Sequence, residues 1–154
     1  MKSRKVTLEI EAPREFVFNK FADFDVSARI LHEAIRVDFK SPNKTGLGAE
    51  WEQERTQMES EPTVAMHKIT AFDAPRSYVM TSDDESAFET MTFEFTEHGS
   101  STIVSFNLDI KMKSFAAKAA GFFLGGMLKN MLLEDLTRMK LHAESDYRKA
   151  TSES

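Results

Sequence analysis

Apolar and polar positions alternate along most of this chain and then give way to a helical period. Val6–Glu11 alternates, the two-residue repeat of a strand with one buried face. Pro13 then opens a helix in its first turn, where a missing N–H is harmless. Phe16, Val17, Phe21 and Phe24 give that helix a partial apolar face up to Asp23, and a second short helix is expected over Ser27–His32. Strands are predicted at Ile35–Phe39, Gly48–Met58, Thr63–Phe72, Arg76–Ser82, Ser86–Thr96 and Thr102–Met112. Turn chemistry separates them: Ser41-Pro-Asn-Lys-Thr-Gly46, Glu59-Ser-Glu-Pro62, Asp73-Ala-Pro75 and the hairpin loop Glu97-His-Gly-Ser-Ser101. One long helix, from Ser114 as N-cap to about Arg148, ends the chain.

The order strand, two short helices, six strands, long helix implies an α+β protein. Short connections make the strands an antiparallel meander. Its apolar face needs cover, and only the last helix is long enough to supply it. The expected architecture is a helix-grip fold: a curved antiparallel sheet of about seven strands wrapped around a long C-terminal helix. The two short helices lie between strands 1 and 2. Residues 1–154 read as a single domain with its core at about 6–145.

The first half of the closing helix is apolar or small on nearly every side, as in Phe115-Ala-Ala117 and Gly121-Phe-Phe-Leu-Gly-Gly126. Such a helix is buried or meets lipid. Lys118 and Lys129 interrupt the run, so stable membrane insertion is not expected. Glycine inside a helix costs about 1 kcal/mol against alanine. Gly121, Gly125 and Gly126 therefore mark either close packing against the sheet or a widened chamber. The second half carries a cleaner stripe of Leu128, Leu132, Leu136, Met139 and Ala143, with Glu134 and Arg138 as an i,i+4 pair opposite.

Composition narrows the function classes. The 154 residues are 41% hydrophobic and 29% charged, ordinary for a globular domain. A net charge of -5 and the lack of a basic, aromatic-interleaved run argue against nucleic-acid binding. The absence of cysteine removes disulfides, thiolate metal sites and cysteine nucleophiles. No apolar leader is read near the start, so the expected location is the cytoplasm. The sequence leaves open whether the protein is a monomer or a homodimer.

Candidate chemistry comes from strand parity. On Gly48–Met58, Glu50, Glu52 and Glu54 share one face, and Trp51, Gln53, Arg55 and Gln57 the other. Three carboxylates belong in water, so Trp51, Gln53 and Arg55 are expected to face the helix. An inward Arg55 is costly unless paired or near a polar ligand head. It orients a ligand carboxylate, phenolate or carbonyl, forms a salt bridge to a neighbouring strand, or is returned to solvent by a bulge. Glu89 shares the parity of Met91, Phe93 and Phe95. It pairs with Arg55, acts as an acid/base with a raised pKa, or ends its strand in water. His67 is a pocket acid/base or a surface histidine, because Met66 and Ile69 disagree on the inner face. Arg55, His67 and Glu89 are thus the weak catalytic candidates. His32 lies near an expected entrance, and no histidine has ligand-like spacing to another, so no metal or other cofactor is assigned. Trp51, Gln53, Arg55, Tyr78, Met80, Met91, Phe93, Phe106, Leu108, Phe122, Phe123 and Met127 form the expected ligand lining, few polar anchors among apolar walls.

Several short motifs carry a resemblance over about Val6 to Ser145. They are Ala12-Pro13 with Phe16-Val-Phe18 and Ala22-Asp23, Gly46-x-Gly48, Phe72-Asp-Ala-Pro-Arg76, Gly99-Ser-Ser-Thr102, and Leu133-Glu-Asp-Leu-Thr-Arg-Met-Lys140. In order and spacing the chain resembles the START-like, Bet v 1-like (SRPBCC) superfamily, and within it bacterial proteins of the polyketide cyclase/dehydrase type. The resemblance implies an internal cavity for an apolar small molecule such as a lipid, polyketide, quinone or sterol. Binding or carriage of such a molecule is the expected function. A cyclase or dehydratase acting on it is one alternative, and an interaction module using Phe122–Leu124 is another.

Overall fold

The computed structural model describes residues 2–55 and 62–152, with the side chains of all of these but Lys2 and 116–126. Strand β1 (Lys2–Ile10) is followed by helices α1 (Arg14–Ala22) and α2 (Phe24–Leu31). Strands β2 (Ala34–Phe39), β3 (Glu50–Arg55), β4 (Thr63–Asp73), β5 (Ser77–Asp83), β6 (Ala87–His98) and β7 (Ser101–Met112) come next, and α3 (Phe115–Ser152) closes the chain. The strands form one sheet in the order β1-β7-β6-β5-β4-β3-β2, every neighbouring pair antiparallel. This is the expected helix-grip architecture. β1 and β2, consecutive in the chain, sit at opposite edges of the sheet, and α1 and α2 carry the backbone between them.

Local deviations have local causes. β3 starts at Glu50 rather than Gly48, because Gly46 and Gly48 hold φ of 86° and 84°. Those left-handed turns suit glycine and break the extended backbone. The predicted end of that strand beyond Arg55 lies outside the described residues. β4 carries a bulge between Ile69 and Ala71. An extra residue reverses which face the following positions present. His67 and Ile69 are therefore buried before it and Phe72 packs inward after it, which explains the ambiguous phase of this strand.

The interior is filled from two sides. Phe18 and Phe21 of α1 meet Phe95 edge-on at 5.1 Å each, and Phe24 of α2 stacks on Trp51 at 5.2 Å. Such aromatic pairs add about 0.5–1.5 kcal/mol beyond their buried area. On α3, Leu132, Leu136, Met139 and Ala143 are buried and Leu128 packs against them, the stripe read from the sequence. Helix and sheet edge are also tied by polar bonds. The Glu144 carboxylate accepts from the Glu11 backbone N–H at 2.8 Å and from Lys140 Nζ at 2.9 Å, and Lys140 donates to the Glu9 carbonyl at 2.6 Å. Burial alone would raise the Glu144 carboxyl, but these donors hold it below its ordinary range. Arg138 does not pair with Glu134 as its spacing predicts. It pairs with Asp135 and donates from Nε to the Ile30 carbonyl of α2 at 3.0 Å, because α2 packs against this side of α3.

Candidate functional site

Strand register sorts the concave face into rows. Tyr78, Phe93, Phe106 and Val6 lie in one row across the sheet, and Ile69, Met80, Met91 and Leu108 in the next. Both rows are apolar. The following row runs Trp51, His67, Ser82, Glu89 and Ile110. Beyond it Gln53 pairs with Ala65 and Arg55 with Thr63. Polarity therefore rises abruptly toward one end of the sheet. There a cavity of about 50 Å³ is lined by Gln53, Arg55, His67, Ser82 and Glu89, with Met91 below and His32 of the α2 C-cap opposite. A water molecule takes about 30 Å³ of liquid volume, so this space holds one or two water-sized groups.

His67 is held on all sides. Its ring stacks on Trp51 at 5.4 Å, Nδ1 lies 3.2 Å from Met80 Sδ, and Nε2 lies 3.3 Å from Ser82 Oγ. Trp51 donates its indole N–H to Gln53 Oε1 at 3.1 Å, which fixes that amide. The His32 ring faces His67 at 5.5 Å. His32 as a whole is only partly buried, yet its Nε2 is enclosed and lacks a hydrogen-bond partner among the described residues.

These surroundings set the charges. Burial, then the charges of Arg55 and Arg138, push the His32 pKa down to about 3. Burial, His32 and Arg55 push His67 well below the ordinary imidazole value. Both rings are neutral at pH 7. Burial raises the Glu89 carboxyl, with Arg55 opposing. Burial likewise lifts Asp135 to about 6 against the opposing pull of Arg138. The charge of Arg55 reaches His32, His67, Glu89 and Asp135 alike, in each case behind burial.

The sequence-predicted residues divide into two groups. Gln53, Arg55, His67, Glu89 and Met91 line the cavity together. Trp51 stands beside it, supporting His67 and Gln53. Tyr78, Met80, Phe93, Phe106 and Leu108 belong to the packed apolar rows. The Tyr78 hydroxyl is buried among Phe18, Phe24 and Phe93 without a hydrogen-bond partner among the described residues, and burial holds its pKa well above normal. It does not reach the polar cavity as an anchor. Met127 is corrected outright, being 53% exposed. Five residues at 100° each put it about 140° around the helix from Leu132, away from the inward stripe. The side chains of Phe122 and Phe123, and the Phe122–Leu124 segment, lie outside the described residues.

Thr63, Ala65, Ser82 and Asp84 of the cavity escaped the sequence reading, and His32 was placed only near an entrance. Ser82 shares parity with Tyr78 and Met80, so the alternation pointed to it. His32 had no such signal, because only the packing of α2 brings it over the sheet. Chemically the cluster is rich in donors and poor in strong bases. His67 touches Ser82, but its other nitrogen meets a thioether rather than a carboxylate, so it lacks the orienting group of a nucleophilic triad. Among the described residues no set of three His, Cys, Asp or Glu side chains has metal-binding geometry. Among them, too, no helix is long and apolar enough to cross a membrane.

No family model matches the chain, and no curated protein matches its sequence. Solved structures do match. A conserved protein from Geobacillus kaustophilus aligns with TM-score 0.76 at 11% identity, over 95% of this chain and 97% of that one. The Zhui aromatase/cyclase from Streptomyces sp. R1128 aligns with TM-score 0.76 at 14% identity, over 93% of each chain. Ara h 8.0201 aligns with TM-score 0.69 at 10% identity, over 94% of this chain and 98% of its own. Near-complete coverage of both partners at such low identity is a likeness of backbone architecture, and it gives this chain the helix-grip fold that these structures share.

Proposed function

We propose that the protein binds a small molecule with an apolar body and one polar group, the polar group seated in the cavity at the end of the sheet. The observation that carries this reading is the convergence of Gln53, Arg55, His67, Ser82 and Glu89 on one space in an otherwise apolar interior. Arg55 and Gln53 are the polar anchors, and Met91 with the neighbouring apolar row receives the body. Drug-sized ligands occupy about 300–1,000 Å³. The cavity accepts only the head as it stands, so the body enters as the surrounding side chains repack. A cytoplasmic monomer or homodimer acting without nucleic acid is part of the same reading. Native mass spectrometry of the purified protein, with solvent extraction, tests it: the expected result is a retained apolar molecule lost in an Arg55→Met variant. Protein that repeatedly emerges ligand-free and fails to bind apolar probes would sink it.

The second reading is a cyclase or dehydratase. Its support is that Glu89 and His67 line one cavity. Glu89, biased toward its protonated form, would supply the proton and Arg55 would stabilise a developing oxyanion. A Glu89→Gln variant that keeps ligand affinity but turns over no bound polyketone separates this reading from simple carriage. Equal turnover by the variant and the unaltered protein removes Glu89 from the chemistry.

A further inference from the structure

The small cavity poses a problem of access that rests on the binding reading: the body of a ligand has to pass its walls. Strands β3 to β6 and the β5–β6 turn supply all of its described lining residues but one. The exception is His32, the C-cap of α2, so this ring roofs the cavity from the helical side. Its Nε2 makes no hydrogen bond among the described residues, and the ring meets His67 at 5.5 Å. The turn that carries it is gripped from outside. Arg138 of α3 donates to the Ile30 and Leu31 carbonyls at 3.0 and 3.4 Å and lies 3.6 Å from the Glu33 carboxylate, contacts on both sides of His32. The Arg138 side chain is 35% exposed and lines an open groove along α3 with Leu133 and Thr137. It thus faces solvent on one side and the roof on the other.

We propose that residues 30–33 are the gate of the cavity and that Arg138 is its latch. The backbone of this turn is strained. Glu33 holds φ at 52°, a left-handed conformation that is costly for a residue with a side chain and persists only where its surroundings enforce it. Directly after it the β2–β3 ladder is irregular between Ala34 and Arg36. Such an irregularity leaves backbone unpaired and able to bend. The turn therefore has a hinge on its C-terminal side. On its N-terminal side α2 is fixed, because Phe24 stacks on Trp51 at 5.2 Å and meets Tyr78 edge-on at 5.3 Å. Release of Arg138 lets the turn swing outward on residues 33–35, relaxes Glu33 and carries His32 off the cavity. Burial of Ala28 and Leu31 opposes the motion, so the open form is a minor population. Arginine suits the latch because its planar fork serves two carbonyls and a carboxylate together, which the compact ammonium of lysine does not.

The test reads access to the ring beneath the roof. Diethyl pyrocarbonate acylates a neutral imidazole nitrogen that it can touch. His67 is 3% exposed, whereas the His98 side chain is 67% exposed and serves as a reference in the same molecule. Brief treatment of the full chain at about pH 7, followed by peptide mass spectrometry, gives the His67 rate relative to His98. The charges that depress His67 are those of His32 and Arg55, not Arg138, so in an Arg138 variant the ratio reads access rather than basicity. Arg138→Met should raise it roughly tenfold or more, the shift that loss of charge-assisted hydrogen bonds gives an opening equilibrium, and Arg138→Lys should raise it less. Leu136→Ala loosens the opposite face of the same helix without touching the latch and should leave the ratio near that of the unaltered protein. An unchanged ratio in Arg138→Met overturns the gate. An equal rise in Leu136→Ala also overturns it, since the reagent then enters through general loosening. If Arg138→Met does not fold, Arg138→Lys set against Leu136→Ala gives the same decision. No ligand takes part, so a retained molecule found alongside an unmoved ratio removes the gate and keeps the binding reading.

Discussion

Replacing His32 with glutamine removes one titrating ring while keeping a polar side chain at the α2 C-cap. The effect on stability follows from linkage. In the unfolded chain the imidazole titrates near its ordinary 6.5, whereas in the fold it is held at about 3. A depressed folded pKa means that the unfolded state binds the extra proton between those values. The contribution to stability is therefore complete above about pH 6.5 and is lost as pH falls toward 3. At pH 5 the unfolded ring is protonated and the folded one is not, a gap of about 1.5 pH units, or about 2 kcal/mol. This figure depends little on the folded value, because any folded pKa well below 5 gives the same loss. Urea unfolding at pH 8 and pH 5 measures it. With m of about 1–3 kcal/mol/M, the unaltered protein should lose about 1 M more in midpoint than His32→Gln over that interval. His67 adds a loss of the same sign in both proteins, and Asp135 and Glu89 oppose it in both; because His32 helps to depress His67, the difference reads His32 together with its effect on His67. Equal acid sensitivity of the two proteins would refute the enclosed, neutral imidazole.

Other positions give independent checks. Asp135→Asn should reverse the sign of the His32 effect: a carboxyl held at about 6 binds its proton more tightly in the fold, so the unaltered protein gains about 1–2 kcal/mol relative to the variant between pH 7 and 4, discounted for a side chain 30% exposed, as read by denaturant titration. Leu136→Ala removes a side chain 1% exposed on the inward stripe of α3 and should cost about 2–5 kcal/mol in chemical denaturation. Thr102→Val keeps the volume but strands the Ala12 carbonyl, which accepts from Thr102 Oγ1 at 2.7 Å; a loss of about 1–3 kcal/mol, seen as a lower Tm, is expected. Unchanged Tm in that variant means water reaches the carbonyl.

Much of the architecture was legible because strand and helix periods are local. The alternation on β3 put Trp51 and Gln53 on the buried face, where each is at most 2% exposed, and left the three glutamates outward, two of them bound by Arg36 of β2 at 2.7 and 3.1 Å. The stripe on α3 from Leu132 to Ala143 was likewise readable from spacing. β4 was not, because its bulge breaks the period between Ile69 and Ala71. Met127 failed for a related reason: apolar character all round the first part of α3 hides the phase that the second part displays.

The sequence by itself determined the order of elements, the antiparallel meander, the covering helix and which face each regular strand presents. These follow from short-range periodicity and turn chemistry. Only the tertiary structure decided which inward residues make a site. Parity placed Tyr78 and Gln53 on the same face, but register puts Tyr78 in a closed aromatic row and Gln53 beside the cavity. His32 joins it from another element, with no periodic signal, because Arg138, more than a hundred residues later, holds the last carbonyls of α2. The charges are tertiary too: burial and the approach of Arg55 keep a histidine neutral, and burial, against the pull of Arg55, makes a carboxyl hard to ionise; neither is encoded in neighbouring residues.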